Sequence, residues 1–417
     1  MQLAYRYRLY PTVEQADALG RWCGCARAIY NAGREQRQVA WRDCGVSLGY
    51  NQQGAGLDDL KRALPWLVEP HSDVLQQALR DLDRAYRNFY EGRAGYPRFR
   101  RKGRRDSFRI QNRKRGGIRV RRLNRRWGEV VIPKLGAVRF RWSRKPIGEI
   151  RHLTVSRDAL GWHVCLCCEQ PAAEPAPHTG PAVGIDRGVA ATIALSTGEL
   201  HHCPGLAPGQ AERMRRLARR AGRQETARRR QPNDQRKRSR RHQRTLDQLA
   251  KLKAREARIR NDFLHKLTTD LAKNHGLVAI EDLRVTSMTR SAKGTIEQPG
   301  ANVRAKSSLN RAILAQGWGE CARMLDYKLA RRAGTLVKVP AAHTSQTCAA
   351  CGVVDRRSRR TQTAFCCTGC GHSANADTNA ARNILAAGQA VTARGAHGDA
   401  SRGEEPRTTR RDLADAA

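Results

Sequence analysis

Apolar and polar positions alternate from the start of the chain. Leu3, Tyr5, Tyr7 and Leu9 share one side of a period-two pattern, basic residues fill the other, and Pro11 stops it, which predicts a short half-buried strand. From Thr12 the period changes. Val13, Ala16, Leu19, Cys23, Ala26 and Tyr30 recur at three and four, and Thr12 with Gln15 resembles a capping box, so a helix is predicted. Residues 42–56, with four glycines, read as a loop. A second helix is predicted from Val74, Leu75, Ala78, Leu79, Leu82, Tyr86 and Phe89 on one face, ending near Gly92. Between Gly117 and Cys168 the alternation returns in five runs, IRVRRL, EVVIP, VRFRW, HLTVSR and WHVCLC, separated by Gly and Pro turns. This is the pattern of a small antiparallel barrel, which the opening strand could complete.

The segment PAAEPAPHTGP, residues 171–181, has no period and reads as a linker between domains. Beyond it, VGID and Val189–Leu195 predict two strands around an Arg187-Gly188 turn. Leu246, Leu249, Leu252, Ile259, Phe263, Leu267 and Leu271 predict a long amphipathic helix. GLVAIEDL (276–283) and TLVKVP read as strands, with one amphipathic helix over about 307–333 between them, and ADTNAARNIL begins a final helix. Residues 389–417 lack an apolar period and are expected to be disordered.

Charge narrows the class of partner. Lys plus Arg number 79 against 38 Asp plus Glu, a formal net charge of +41 over 417 residues, which points to a polyanion. With no apolar run of about 18 residues and no basic-then-apolar leader, nucleic acid is a better reading than a membrane surface. The charge is concentrated. Residues 93–126 hold 16 Lys or Arg against the single acid Asp106, and Tyr96, Phe99 and Phe108 are interleaved with Arg98, Arg100, Arg101, Lys102, Arg104, Arg105 and Arg109. That mixture suits phosphate contact together with stacking on exposed bases. Residues 212–244 form a second cationic arm, with 15 basic side chains.

Two Cys-x-x-Cys knuckles, Cys348/Cys351 and Cys367/Cys370, have residues 352–366 between them. Each is followed by a glycine, Gly352 or Gly371, that lets the backbone turn, so four thiolates can close a tetrahedron around one structural Zn²⁺. Cys366 competes with Cys367 but would leave a three-residue gap to Cys370. Thirteen cysteines without a leader argue for a reducing compartment, hence the cytoplasm, with the other nine mostly small core fillers.

Three separated acidic positions end strands or open a helix: Asp186, the pair Glu281 and Asp282 of which only one need function, and Asp377. Hard oxygen donors in this arrangement suit two-metal phosphodiester chemistry with a pair of Mg²⁺, whereas the soft thiolates select zinc.

GIDRG, then IEDL, then a four-cysteine ribbon inserted just before ADTNAARNIL, together with YRYRLYPT, GYPRFRRKGRRDSFR and WGECARMLDYKLARRAG, resemble the TnpB (OrfB) proteins of bacterial and archaeal insertion sequences, relatives of the type V CRISPR effectors. The resemblance runs through residues 1 to about 388. It implies a multidomain α/β chain: a wedge β-barrel from 1–10 and 93–170, a helical recognition lobe at 11–92, an RNase H-like (RuvC) nuclease domain at 182–343 and 374–388, and a zinc ribbon at 344–373. It implies Asp186, Glu281 and Asp377 as the Mg²⁺-binding catalytic triad and the four cysteines as zinc ligands. Its implied partners are a guide RNA from the transposon end and a target double-stranded DNA, with no membrane and no small-molecule substrate, in a prokaryotic cytoplasm at the nucleoid. Base pairing with the guide would select the sequence. The expected function is RNA-guided, Mg²⁺-dependent DNA cleavage. The alternative is a transposon-encoded DNA-binding regulator or transposase accessory that does not cleave.

Overall fold

Strand β1 (Gln2–Tyr10) follows the alternation, with Tyr5, Tyr7 and Leu9 buried and Arg6 exposed between them. The computed structural model describes residues 2–112, 117–171, 175–232 and 238–399, and the chain divides into two units. The first comprises Met1–Ala173 and Arg223–Ala254, the second Glu174–Gly222 and Arg255–Ala417, so the boundary falls inside the expected linker 171–181. Of that linker, residues 172–174 lie outside the described residues, as do 233–237 of the cationic arm.

In the first unit, helix α1 (Val13–Cys44) starts on the expected capping box: the Gln15 N–H donates to Thr12 Oγ1 and the Thr12 N–H to Gln15 Oε1. Of the loop expected over residues 42–56, 45–49 is the stretch that lacks regular structure. Helix α1 runs on to Cys44 and stops at Gly45, which takes a left-handed φ of 65°, and helix α2 (Tyr50–Ala55) follows, then α3 (Leu57–Ala63). Tertiary contacts outweigh the glycine penalty there: buried Gln53 donates from Nε2 to the Gly33 carbonyl at 2.8 Å and accepts from Arg37 Nε at 2.8 Å. Helix α4 (Ser72–Tyr90) packs Val74, Leu75, Leu79 and Leu82 into the core shared with Leu19, Trp22 and Ile29 of α1.

Strands β2 (Ser107–Gln111), β3 (Arg119–Arg122), β4 (Trp127–Ile132), β5 (Gly136–Arg141), β6 (Glu149–Asp158) and β7 (Gly161–Glu169) join β1 in one antiparallel sheet, ordered β2-β6-β7-β1-β5-β4-β3. The opening strand sits inside this sheet, paired with β7 along Gln2–Arg8 and with β5 at Leu9 and Tyr10. Among the described residues no ladder joins the two edges, β2 and β3.

The second unit contains β8 (Ala182–Asp186), β9 (Ile193–Leu195), β10 (Leu200–His201), the first part of α5 (Pro208–Arg229) and α6 (Arg240–Asn274) from Arg255 onward. Residues 223–254 group with the first unit, a departure from the expected domain 182–343. Strand β11 (Leu277–Glu281), α7 (Val285–Met288), α8 (Val303–Gln316), α9 (Trp318–Ala330) and β12 (Thr335–Val339) follow. The single helix expected over 307–333 breaks at Gly317, whose φ of 72° ends α8. The sheet runs β10-β9-β8-β11-β12, with β8, β11 and β12 parallel. After the hairpin β13 (Ala364–Cys366) and β14 (Ser373–Asn375) comes α10 (Ala376–Asp399).

The α10 helix overturns part of the expected disordered tail, because 389–399 is helical; its alanines are strong helix formers and need no apolar stripe to stay helical. Residues 400–417 lie outside the described residues. Val183, Ile185, Val278 and Ile280 pack one face of the sheet on Leu264, Leu267, Leu325 and Leu329, and Ala279, Val337 and Val339 turn the other face to Ile384 of α10. A Cβ at Gly184 would run into the Ala381 carbonyl, so glycine is what lets α10 lie directly on β8. No helix among the described residues is long and apolar enough to cross a membrane.

Candidate active site and metal centre

Strand parity decides which acids face α10. Gly184 and Ala279 point to that side, and two residues later so do Asp186 and Glu281. The β8/β11 ladder pairs Ile185 with Ile280, one residue short of both acids, so they end adjacent strands together. Asp282, the other candidate at that position, is exposed, whereas Glu281 is buried. Asp377 lies in the first turn of α10, buried, where Asn375 Oδ1 caps the helix by accepting from the N–H groups of Asp377 at 3.0 Å and Thr378 at 3.2 Å. A Cβ built at Gly188, two residues past Asp186, would sit 3.9 Å from Asp377 Oδ2.

Two of the carboxylates act on the third. Burial pushes the Asp186 carboxyl up, the charges of Glu281 and Asp377 push it further, to about 7, and Arg359 pulls the other way. Buried Arg187 ties the ends of β8 and β11 together by donating to the Glu281 carbonyl and, at 3.3 Å, to the Trp318 carbonyl. Among the described residues, only the four cysteines have ligand atoms all within 4.8 Å of one another. The acids are more open than that. A pair of divalent ions about 4 Å apart asks its ligands to line a gap instead of meeting at a point, so hard, mutually repelling oxygens at the ends of neighbouring elements fit such a pair.

Cys348, Cys351, Cys367 and Cys370 converge, with Cys351 Sγ to Cys367 Sγ at 3.6 Å and Cys348 Sγ to Cys370 Sγ at 3.7 Å. Gly352 and Gly371 take φ of 76° and 72°, and their N–H groups donate to the Cys348 and Cys367 carbonyls. The N–H groups of Cys370 and then Gly369 hold the Cys367 thiol down to about 6, a thiolate ready for a metal. Cys366 lies on β13, outside the cluster. A closed four-thiolate set fits zinc.

Several residues of this region were invisible to motif reading. Arg359, between the knuckles, donates from Nη2 to Asp377 Oδ1 at 3.1 Å. Thr344 Oγ1 donates to Glu281 Oε1 at 2.6 Å. Asn379 donates to the Thr347 carbonyl at 2.7 Å and accepts from the Ala349 N–H at 2.9 Å; Asn383, one turn on, donates to the carbonyls of Thr344 and Thr347. The spacing of two asparagines by four in ADTNAARNIL was the available signal for a helix face that holds the ribbon.

The basic segment of the first unit divides. Arg98, Arg101, Lys102, Arg104 and Arg105 are exposed, as expected of phosphate contacts. Phe108 is not free to stack on a base: it belongs to β2, is buried, and packs on Trp22 with ring centroids 5.6 Å apart. Alternation inside a charge-rich run concealed that strand. Arg100 and Arg109 are also held internally, both by Asp81, and the Arg100 guanidinium covers Tyr30 at 3.9 Å. Tyr96 and Phe99 are exposed at their edges, with the Arg34 guanidinium 4.0 Å over Phe99.

Residues 165–292 match the OrfB_IS605 model, described as "Probable transposase", and residues 318–384 match the Cas12f1-like TNB domain. Residues 1–45 match a model described as a helix-turn-helix domain, although here they form β1 and the single helix α1. The chain is 38% identical over 394 residues to "Putative RNA-guided DNA endonuclease InsQ" of Escherichia coli (strain K12), covering 94% of each. It is 37% identical to the "Putative RNA-guided DNA endonuclease" of Streptomyces pristinaespiralis, covering 94% of this chain and 90% of that one. Among solved structures, the Cas12f1 chain of a Cas12f1-sgRNA-target DNA complex shares the fold, with a TM-score of 0.53 at 15% identity over 90% of this chain and 83% of that one.

Proposed function

The chain belongs to the TnpB (OrfB) family, and from this premise we propose that it is an RNA-guided, Mg²⁺-dependent DNA endonuclease with Asp186, Glu281 and Asp377 as its RuvC-type catalytic acids. The observation that carries the reading is that half-buried Asp186 and the buried Glu281 and Asp377, far apart in sequence, stand at one end of a sheet, where burial and then the charges of the other two acids raise the pKa of Asp186. Nothing in a folded core gains from such repulsion, whereas divalent cations would relieve it. Bound there, they would supply an activated water and a counter-charge for the leaving oxygen. Asp186, Glu281 and Asp377 would hold them, Arg187 and Thr344 fix the two strand ends, and Arg359 brings a cation to the edge where a phosphate would lie.

The four cysteines are read as the ligands of one structural zinc, and the seven-stranded sheet of the first unit as the wedge barrel. The relatives named as RNA-guided DNA endonucleases support a guide RNA and a double-stranded DNA target as partners, and the +41 net charge suits a chain that must neutralise both backbones. The test is to purify the protein with its co-purifying RNA, sequence that RNA, and offer DNA matched to it. Mg²⁺-dependent strand breaks that disappear in Asp186→Ala are expected. DNA occupancy without breaks, or undiminished cutting by Asp186→Ala, would overturn the assignment.

A further inference from the structure

A cavity of about 970 Å³ opens in the first unit where the last turns of α1 and α4 meet the loop after α4. Its aromatic lining is unusual for a surface. Trp41 is 66% exposed and Tyr90 73%, with Phe89 and Tyr96 also open to solvent. Grouped exposed rings mark an interaction site more often than an isolated ring does. The rings already show the geometry of mutual recognition: Tyr86 and Tyr90 lie near parallel at 6.1 Å and 29°, and Tyr96 meets Tyr86 edge-on at 5.7 Å. Arg37 stands in the same wall, its guanidinium 5.2 Å over the Tyr86 ring.

The charges of the lining narrow the ligand. Arg37 and Arg87 share Asp83, at 3.2 and 3.4 Å, and Arg42 pairs with Asp43 at 2.5 Å, so these guanidiniums are largely answered and do not form a free phosphate clamp. Three arginines in the lining also disfavour a quaternary ammonium, the other usual guest of clustered rings. A flat π-system meets both conditions, because rings and planar guanidiniums can cover its faces without asking for a free charge. The volume is at the upper end of the range for small-ligand sites and leaves room for more than one base.

We propose that this cavity is a stacking site for unpaired nucleobases of a single-stranded nucleic acid. The proposal rests on the reading that the chain works on nucleic acid, and it is separate from the exposed arginines at 98–105 and from the acids that would cut. RNA and DNA present the same chemistry here, and the test tells them apart.

The full-length protein without guide is titrated with fluorescent 15-nucleotide oligo(U) and oligo(dT), each also made with abasic positions throughout, and is photocrosslinked to 5-iodouracil versions of both. Crosslinks are expected on Trp41 or Tyr90. Trp41→Ala/Tyr90→Ala, at two exposed positions, is expected to bind base-bearing strands roughly 5- to 150-fold more weakly while binding abasic strands unchanged. The arm with the larger loss identifies RNA or DNA as the occupant. Crosslinks confined to other segments, equal affinity of the double variant for base-bearing strands, or an equal loss on abasic strands would each overturn the proposal. Failure of the endonuclease reading is seen separately, as cutting that survives Asp186→Ala.

Discussion

Arg359 Nη2 lies 3.1 Å from Asp377 Oδ1, so a side chain from the four-cysteine ribbon is hydrogen-bonded to a candidate catalytic acid. The acid's side chain is 7% exposed and the arginine's 26%, so water screens the pair poorly. Arg359→Ala is therefore expected to lower the stability of the metal-free protein by about 1–3 kcal/mol and to reduce DNA cleavage by about tenfold or more. Thermal unfolding in EDTA and single-turnover cleavage in Mg²⁺ check the two effects separately. Unchanged cleavage would restrict Arg359 to a structural role.

The raised pKa of Asp186 has a definite sign for stability. The folded carboxyl titrates near 7 and an unfolded one near 3.8, so the native state binds the extra proton between those values. The associated stabilisation is fully present below about pH 4 and is lost as pH rises through 7. In EDTA at pH 8, Asp186→Asn should be more stable than the parent by about 2–4 kcal/mol, and the gap should close toward pH 4. Mg²⁺ should reverse the order at pH 8, because only the parent gains a ligand. Denaturant melts of both proteins at the two pH values, with and without Mg²⁺, measure this.

Much of this site was legible in the sequence, for a physical reason. Asp186 and Glu281 end apolar runs that pattern as buried strands, and the knuckle spacing of Cys348, Cys351, Cys367 and Cys370 is a local property of the backbone. What could not be read depends on who lies opposite. Thr344 and Arg359 have no local signature: Thr344 reaches Glu281 because β12 pairs with β11, and Arg359 reaches Asp377 across 18 residues of sequence. The choice between Glu281 and Asp282 needed the face of the sheet. Phe108 was misread because its strand is embedded in a charge run, where composition drowns a period-two signal. The tail was misread in the opposite sense: an alanine-rich segment needs no apolar stripe to be helical.

The division within the basic segment is testable. Phe108→Ala should cost about 3–5 kcal/mol of stability through a core cavity next to Trp22. Arg101→Ala, Arg104→Ala and Arg105→Ala combined should leave the melting midpoint nearly unchanged, weaken DNA binding, and lower the slope of log affinity against log salt by roughly 0.9 for each phosphate no longer neutralised. Equal destabilisation by both changes would mean that the arginines are structural.

The four-cysteine cluster predicts opposite outcomes for Cys348 and Cys366. Cys348→Ser should lose zinc and expose the amides of 344–349 and the first turns of α10 to hydrogen exchange, since a structural zinc can contribute about 10 kcal/mol or more to folding a small unit. Cys366→Ser should keep one zinc per chain, because Cys367 Sγ is the one that faces Cys351 at 3.6 Å. Metal analysis after gel filtration distinguishes the two, and full zinc retention by Cys348→Ser would refute the ligand set.

Thr344 provides the sharpest test of whether the ribbon anchor also sets the geometry of the acids. Its hydroxyl donates to Glu281 Oε1 at 2.6 Å, and its carbonyl accepts from Asn383 of the helix that carries Asp377. One residue thus joins Glu281 to the helix that carries Asp377. Thr344→Val keeps the shape and the backbone contact but removes the donor, leaving a buried carboxylate oxygen unanswered. It should reduce the maximal cleavage rate by about tenfold and raise the Mg²⁺ concentration needed for half-maximal rate, with DNA affinity unchanged. Thr344→Ser, which retains the hydroxyl, should restore most of both. A valine variant that cuts and titrates with Mg²⁺ like the parent would show that Glu281 is held by its strand alone.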